Sequence, residues 1–274
     1  VLLHDRRAPG EAGVGDAPHG AIVLVARDRR RRGEADPGGA ERVGRREVPV
    51  LVQGETGTGK EFVAQSLHKG GNRRNGRFIS QNCAAIPATL LESILFGTVK
   101  GSFTGAENRM GLFEVADGGT LFLDEVNSMD LNIQAKLLKA IEDKKITRVG
   151  GSEPILVDVR IISAMNKSPI SCVDDQTLRE DLFYRLGSVQ LRVPPLRERR
   201  EDISRLTDYF IALYNQRMQT NIQGVAHEVR DLFETYHWPG NVRELENCIE
   251  RAVLLAEGTV IEPQVLPVSI QSSP

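Results

Sequence analysis

Gly54-Glu55-Thr56-Gly57-Thr58-Gly59-Lys60-Glu61 follows directly on the apolar run Pro49-Val50-Leu51-Val52-Gln53. A β-like run that ends in a glycine-rich turn and passes into a helical stretch (Phe62, Val63, Leu67) suits a phosphate-binding loop. Closely spaced glycines let successive backbone N–H groups curl around an anion, and the terminal lysine reaches the outer oxygens. Residues Gly54 to Glu61 are therefore candidate nucleotide-binding residues, with Lys60 directed at the β and γ phosphates. Position 61 departs from the general pattern: Glu61 stands where a Ser or Thr hydroxyl would hold Mg2+.

A second segment, Gly119-Thr120-Leu121-Phe122-Leu123-Asp124-Glu125, reads as a buried strand ending in two carboxylates. Phosphoryl transfer needs one acid at a strand end for Mg2+, directly or through water, and another to polarise the attacking water. Asp124 fits the first role and Glu125 the second. Asn166 ends the run Val159–Met165 and Asn82 ends Phe78–Gln81, so both are candidate polar sensors or plain turn formers. Arg179 and Arg185 lie six apart among acids, which by itself suits surface ion pairs. Between loop and acid pair runs Phe96-Gly97-Thr98-Val99-Lys100-Gly101-Ser102-Phe103-Thr104-Gly105-Ala106. Its spaced glycines either lift Phe103 and Thr104 off the body or let the ring tuck back into the core.

Around these segments the text divides three ways. Residues 1–46 carry Arg but no Lys and no aromatic, with a basic run at Arg27–Arg32, and read as a disordered or aberrant start. Its one strand-like piece is Ala21–Val25. From residue 47, β-rich runs at Val48–Val52, Phe78–Ser80, Thr120–Leu123, Val157–Ser163 and Val189–Val193 alternate with helical stretches. Leu90, Leu91, Ile94 and Leu95 form one predicted helical face, and Ile133, Leu137, Leu138 and Ile141 another. Such alternation predicts an α/β doubly wound parallel sheet over 47–195, with ligand at the strand carboxyl ends.

After Pro194-Pro195 the strands stop. Ile203, Leu206, Phe210 and Leu213 mark one helix; Val229, Leu232, Phe233 and Tyr236 mark a second. Asn241 begins a third, with Glu244 as its capping-box partner and Val242, Leu245, Ile249 and Val253 inward. Residues 196–268 thus read as a small all-helical subdomain, and 269–274 as a tail. The formal charge of −2 argues against a general polyanion or a membrane surface as partner. Cys83, Cys172 and Cys248 lie far apart, which suits a reduced, cytoplasmic protein better than a disulfide or zinc scaffold.

Taken together, the segments resemble the AAA+ domain of the sigma-54-dependent transcriptional activators. Gly54–Glu61 is similar to that family's nucleotide loop, including Glu61. Gly101-Ser102-Phe103-Thr104-Gly105-Ala106 resembles its sigma-54-contacting loop, with Ser102 in place of the usual alanine. Ala116–Glu125, Pro194-Pro195-Leu196-Arg197-Glu198-Arg199 and Trp238-Pro239-Gly240-Asn241-Val242-Arg243-Glu244-Leu245-Glu246-Asn247 resemble its acid-pair, linker and lid motifs. The resemblance implies an AAA+ P-loop fold and a Mg2+-dependent ATPase that remodels sigma-54 RNA polymerase holoenzyme to open the promoter. It implies a homo-oligomeric ring, usually a hexamer, with promoter DNA reached only through other domains. Asn82 would be the switch that holds Glu125, Asn166 sensor I, and Arg243 sensor II. Arg179 and Arg185 would be the arginines lent to a neighbouring subunit. The alternatives are an ATPase-impaired partner-binding fragment of such an activator, or another AAA+ remodeller.

Overall fold

A computed structural model describes residues 25–27, 43 and 46–272. Apart from Val25–Arg27, Val43 and Arg46, the readings made for 1–46 lie outside the described residues. The chain forms two compact units. Among the described residues, the larger holds 25–27, 43, 46–199 and His237–Leu245; the smaller holds Arg200–Tyr236 and residues 246–272.

The larger unit is built on a six-stranded sheet. Its strands are β1 (Val25–Arg27), β2 (Val50–Gln53), β3 (Phe78–Asn82), β6 (Thr120–Asp124), β9 (Arg160–Met165) and β10 (Val189–Arg192). They lie side by side in the order β1-β10-β2-β9-β6-β3. Five are parallel, and β1 runs antiparallel along the β10 edge. The five parallel strands are the runs expected from the sequence. In β6, Thr120 to Leu123 are all buried, as a strand covered on both faces requires.

Helices fill the connections: α1 (Lys60–Lys69), α2 (Ala88–Phe96), α4 (Leu131–Asp143) and α6 (Glu180–Leu186). Asp130 caps α4 by accepting the Asn132 N–H at 2.8 Å, and Ile133, Leu137 and Ala140 face the core. In α2 the expected face is rotated. Leu91, Leu95 and Phe96 are buried, whereas Leu90 is 52% exposed. The reason is aromatic packing: Phe96 stacks on Phe113, ring centroids 5.6 Å apart, which turns Leu90 outward.

Two hairpins were not foreseen from the sequence. Strands β4 (Gly97–Thr98) and β5 (Arg109–Met110) pair antiparallel, as do β7 (Lys145–Thr147) and β8 (Pro154–Leu156). A short helix, α3 (Leu112–Val115), leads from β5 towards β6, and α5 (Pro169–Asp174) follows β9.

The smaller unit holds α7 (Glu201–Met218) and α8 (His227–Thr235), whose inward residues include Ile203, Leu206, Phe210, Val229 and Phe233. It is mostly but not wholly helical. Strands β11 (Gly224–Val225) and β12 (Val260–Ile261) pair in parallel, too short to stand out from the surrounding helical text. Helix α9 (Asn241–Leu255) buries Val242, Leu245, Ile249 and Val253. A last helix, α10 (Val268–Gln271), occupies the start of the expected tail and buries Ile270. Among the described residues no helix is long and apolar enough to cross a membrane.

Leu123 is fully buried on β6, between β9 and the edge strand β3. Leu123→Ala is expected to lower unfolding free energy by about 2–5 kcal/mol, read by urea denaturation.

Candidate functional site

Parallel pairing puts the carboxyl ends of β2, β9, β6 and β3 along one edge. Gln53 is level with Met165, and Asn82 with Asp124. The residues just beyond those ends are Gly54, Asn166, Glu125 and Cys83, so the sequence candidates converge on one sheet edge.

Gly54–Gly59 joins β2 to α1. Gly57 has φ 79°, the left-handed region that favours glycine, and a Cβ there would lie 2.3 Å from the Gly240 carbonyl. Lys60, the first residue of α1, is buried and donates from Nζ to Gly54 O at 2.9 Å and Glu55 O at 3.1 Å. Burial pushes its pKa down, against the pull of Asp124 and Glu125; Arg243 adds to the lowering. Thr58 is buried and donates from Oγ1 to Glu55 O at 2.8 Å. Glu61 points to solvent from the first turn of α1.

The acid pair sits at the end of β6. Asp124 Oδ1 accepts the Glu125 N–H at 3.0 Å. Glu125 adopts φ 56°, a strained turn that swings its side chain off the strand direction. Its Oε1 accepts from Asn166 Nδ2 at 3.3 Å. Asn82 Oδ1 accepts the N–H groups of Ala84 and Ala85, at 2.9 and 3.1 Å, which closes a local Asx-type turn at the end of β3. The amide bonded to Glu125 is that of Asn166.

Arg179 stands just before the first residue of α6, with no side-chain bond to the backbone of the helix start. Its guanidinium pairs with Asp181 at 2.7 Å, and its N–H donates to Gln134 Oε1 at 2.9 Å. Gln134, fully buried and missed by sequence reasoning, also donates to Met129 O and Thr177 O, so α4 fixes where Arg179 emerges. Arg185 is exposed on α6. Arg243 is exposed in the first turn of α9, with its backbone N–H donating to Gly57 O at 3.3 Å. Glu244 does close that helix start, but it accepts from Gly240 N–H at 2.8 Å and not from Asn241. Asn241 has φ 55°, and its side chain is turned to the nucleotide loop.

The Gly101–Ala106 loop stands on the β4–β5 hairpin. Thr98 Oγ1 donates to Glu107 O at 2.6 Å, and the Lys100 N–H donates to Asn108 Oδ1 at 2.9 Å. Phe103 is 52% exposed, so the ring does not tuck into the core; Thr104 and Gly105 are exposed beside it and Ala106 is buried. The second hairpin braces the foot of this loop. Val149 bonds to Gly97 O and accepts from Val99 N–H, while Arg148 forks onto Glu114 at 2.6 and 2.9 Å. Gly150 packs so closely on Ser102 that a Cβ there would meet Ser102 Cβ at 2.4 Å.

Comparison with known proteins places these features. The family described as "Sigma-54 interaction domain" matches residues 36–192, and "AAA+ ATPase lid domain" matches 197–274. The chain is 53% identical over 214 residues to the transcriptional activator RocR of Bacillus subtilis, covering 78% of this chain and 46% of RocR. It is 49% identical over 224 residues to the regulatory protein FlbD of Caulobacter vibrioides, covering 81% and 49%. The chain thus spans about half the length of the curated relatives it matches. Among solved structures, NtrX from Brucella abortus in complex with ATP superposes with TM-score 0.79 at 35% identity, covering 84% of this chain and 51% of that one.

The Arg148–Glu114 fork holds the Glu114 carboxyl below the usual glutamate range. A depressed folded pKa adds stability that is complete above the unfolded value and is lost as pH falls through the folded one. Acid unfolding of the wild type is therefore expected to steepen below about pH 4.3. Glu114→Gln should flatten that part of the curve, followed by circular dichroism.

Proposed function

Since the chain belongs to the sigma-54 interaction domain family of AAA+ ATPases, we propose that it is a Mg2+-dependent, ATP-hydrolysing module that remodels sigma-54 RNA polymerase holoenzyme to open the promoter. The observation that carries this reading is the exposed Phe103, held on a braced loop in the same unit as the Gly54–Lys60 turn and the Asp124–Glu125 pair.

Glu55, Thr56, Gly57 and Gly59 present the backbone N–H groups that bind the phosphates, while the Gly54 N–H continues the sheet to Met165 O and the Thr58 N–H turns back to Glu55 O. Lys60 exchanges two neutral carbonyls, Gly54 O and Glu55 O, for charged phosphate oxygens, a stronger hydrogen-bond pairing. The donor set also fits a hard cation. Glu61 supplies no hydroxyl but leaves the loop open, and Asp124 has only Oδ1 engaged. Mg2+, held by Asp124 directly or through water, would supply charge neutralisation on the phosphates. Glu125 polarises the attacking water and takes its proton. Asn166, bonded to Glu125 Oε1, restrains that carboxylate and couples its position to β9. Asn82 shapes the turn beside Asp124 through its Oδ1, and its Nδ2 is the donor that would hold Glu125 in the switched state.

Arg243 reaches the nucleotide from the start of α9. Arg179 and Arg185, presented on α6, complete the site of a neighbouring copy, which makes the working form a ring, six-membered as in the family at large. The Gly101-Ser102-Phe103-Thr104-Gly105-Ala106 loop contacts sigma-54. Such a protein works in the cytoplasm, where its polymerase is.

Two variants separate the steps. Glu125→Gln should lower the ATPase rate by about 10²–10⁴-fold while ATP still binds. Phe103→Ala should leave ATPase activity within about twofold and abolish ATP-driven open-complex formation with sigma-54 holoenzyme. Normal promoter opening by Phe103→Ala would sink the reading. Plotted against protein concentration, specific ATPase activity should rise cooperatively as the ring assembles; a flat, background rate would count against arginines lent between subunits.

A further inference from the structure

A loop that turns its N–H groups towards an anion turns its carbonyls the other way, and each carbonyl needs a donor. The carbonyls of Gly54 to Thr58 all have one. Lys60 Nζ serves Gly54 O and Glu55 O, and Glu55 O also accepts from Thr58 Oγ1 and the Thr58 N–H. The remaining three carbonyls are served from distant sequence: Asn241 Nδ2 to Thr56 O at 3.1 Å, the Arg243 N–H to Gly57 O at 3.3 Å, and Arg199 Nη2 to Thr58 O at 2.8 Å. Lys60 is the donor drawn away when phosphate arrives; Thr58 then keeps Glu55 O satisfied from within the loop, and the carbonyls of Thr56, Gly57 and Thr58 rest on the outer three.

We propose that Asn241 is a positioning residue for nucleotide binding, and that the Glu55–Arg197 pair is the second arm of the same brace. This rests on the ATPase reading above. Asn241 is fully buried in the left-handed region, where Asn and Asp are the tolerated side-chain-bearing residues. Its amide works in both directions at once. Oδ1 accepts the Leu196 N–H at 2.8 Å, while Nδ2 faces Thr56 O and, at 3.3 Å, Glu55 Oε2. No carboxylate or hydrocarbon can do both. Arg197 then grips Glu55 through two bonds, at 2.6 and 2.8 Å, and holds that carboxyl charged, below its usual range. The segment Leu196–Arg199 and the turn before α9 are thereby bolted to the outside of the nucleotide loop, far from where the phosphates lie against its N–H groups.

The test is ATP binding to the full chain by isothermal titration calorimetry, with steady-state ATPase kinetics alongside. Asn241→Asp keeps the backbone conformation and the acceptor for Leu196. It loses the donor to Thr56 and sets a second carboxylate against Glu55. ATP Kd and KM are expected to rise about tenfold or more, with kcat at saturating ATP within about threefold. The double variant Asn241→Asp/Glu55→Gln relieves the repulsion but restores neither the donor to Thr56 nor the charged grip of Arg197, so its Kd should stay at least about threefold above the wild-type value. Arg197→Ala removes a partly exposed side chain and should weaken binding by about three- to tenfold even if Asn241→Asp fails to fold. Absence of ATP binding by the wild type would overturn the ATPase reading itself. Wild-type binding with unchanged Kd in Arg197→Ala, or in folded Asn241→Asp, would overturn the positioning role. So would a rise in KM matched by an equal fall in kcat together with a lower melting temperature, or a double variant with wild-type affinity, since the first is the behaviour of a merely structural residue and the second leaves the brace without a role.

Discussion

Backbone polarity governs this molecule. Parallel strands carry their pairing groups in register, so β2, β9, β6 and β3 end together, and Gly54, Asn82, Asp124, Glu125 and Asn166 all lie at those ends. The same rule acts on the nucleotide loop. Its N–H groups can face a phosphate only while its carbonyls are satisfied behind it, and those carbonyls draw in Lys60, Arg199, Asn241 and the start of α9. The loop is therefore not a free-standing turn. It is the point where segments from residues 54–60, 196–199 and 238–243 meet.

A second constraint acts on the Phe103 loop. Exposing an aromatic ring on a short glycine-rich excursion works against its own burial, so the foot of the loop has to be rigid. The β4–β5 hairpin supplies part of that rigidity. The rest comes from the neighbouring hairpin, through Val149, Arg148 and the close approach of Gly150 to Ser102. Glu114 joins the two: it receives Arg148 and closes the start of α3, which leads into β6 and so to Asp124 and Glu125. The acid pair and the exposed ring are tied into one continuous hydrogen-bonded framework.

The strength of local patterns decided how much could be read in advance. Five strands showed because each carries β-favouring residues in a short run, continuous in β2 and β9 and alternating in β10, and the middle of β6 is apolar because it is covered on both faces. The two- and three-residue strands of the hairpins, and the β11–β12 pair, are too short to carry a period. Leu90 was expected inside because helical spacing gives a face but not its rotation; the Phe96–Phe113 stack sets the rotation. The Asn82 oxygen closes its own turn, and the amide that meets Glu125 comes from Asn166, a pairing set by how β9 lies beside β6.

By itself, the sequence determined the nucleotide loop, the acid pair, the α/β alternation and the family, because these depend on residue type at fixed short spacing. Lys60 has to follow the glycines, and two acids have to end a strand, wherever the chain goes next. Tertiary structure alone decided which amide holds Glu125, where Arg179 emerges, and that Asn241, Arg197 and Arg199 stand behind the loop. Those contacts join residues separated by 41 to 186 positions. No local pattern encodes them, since each depends on where the folded sheet brings a donor to an unsatisfied acceptor.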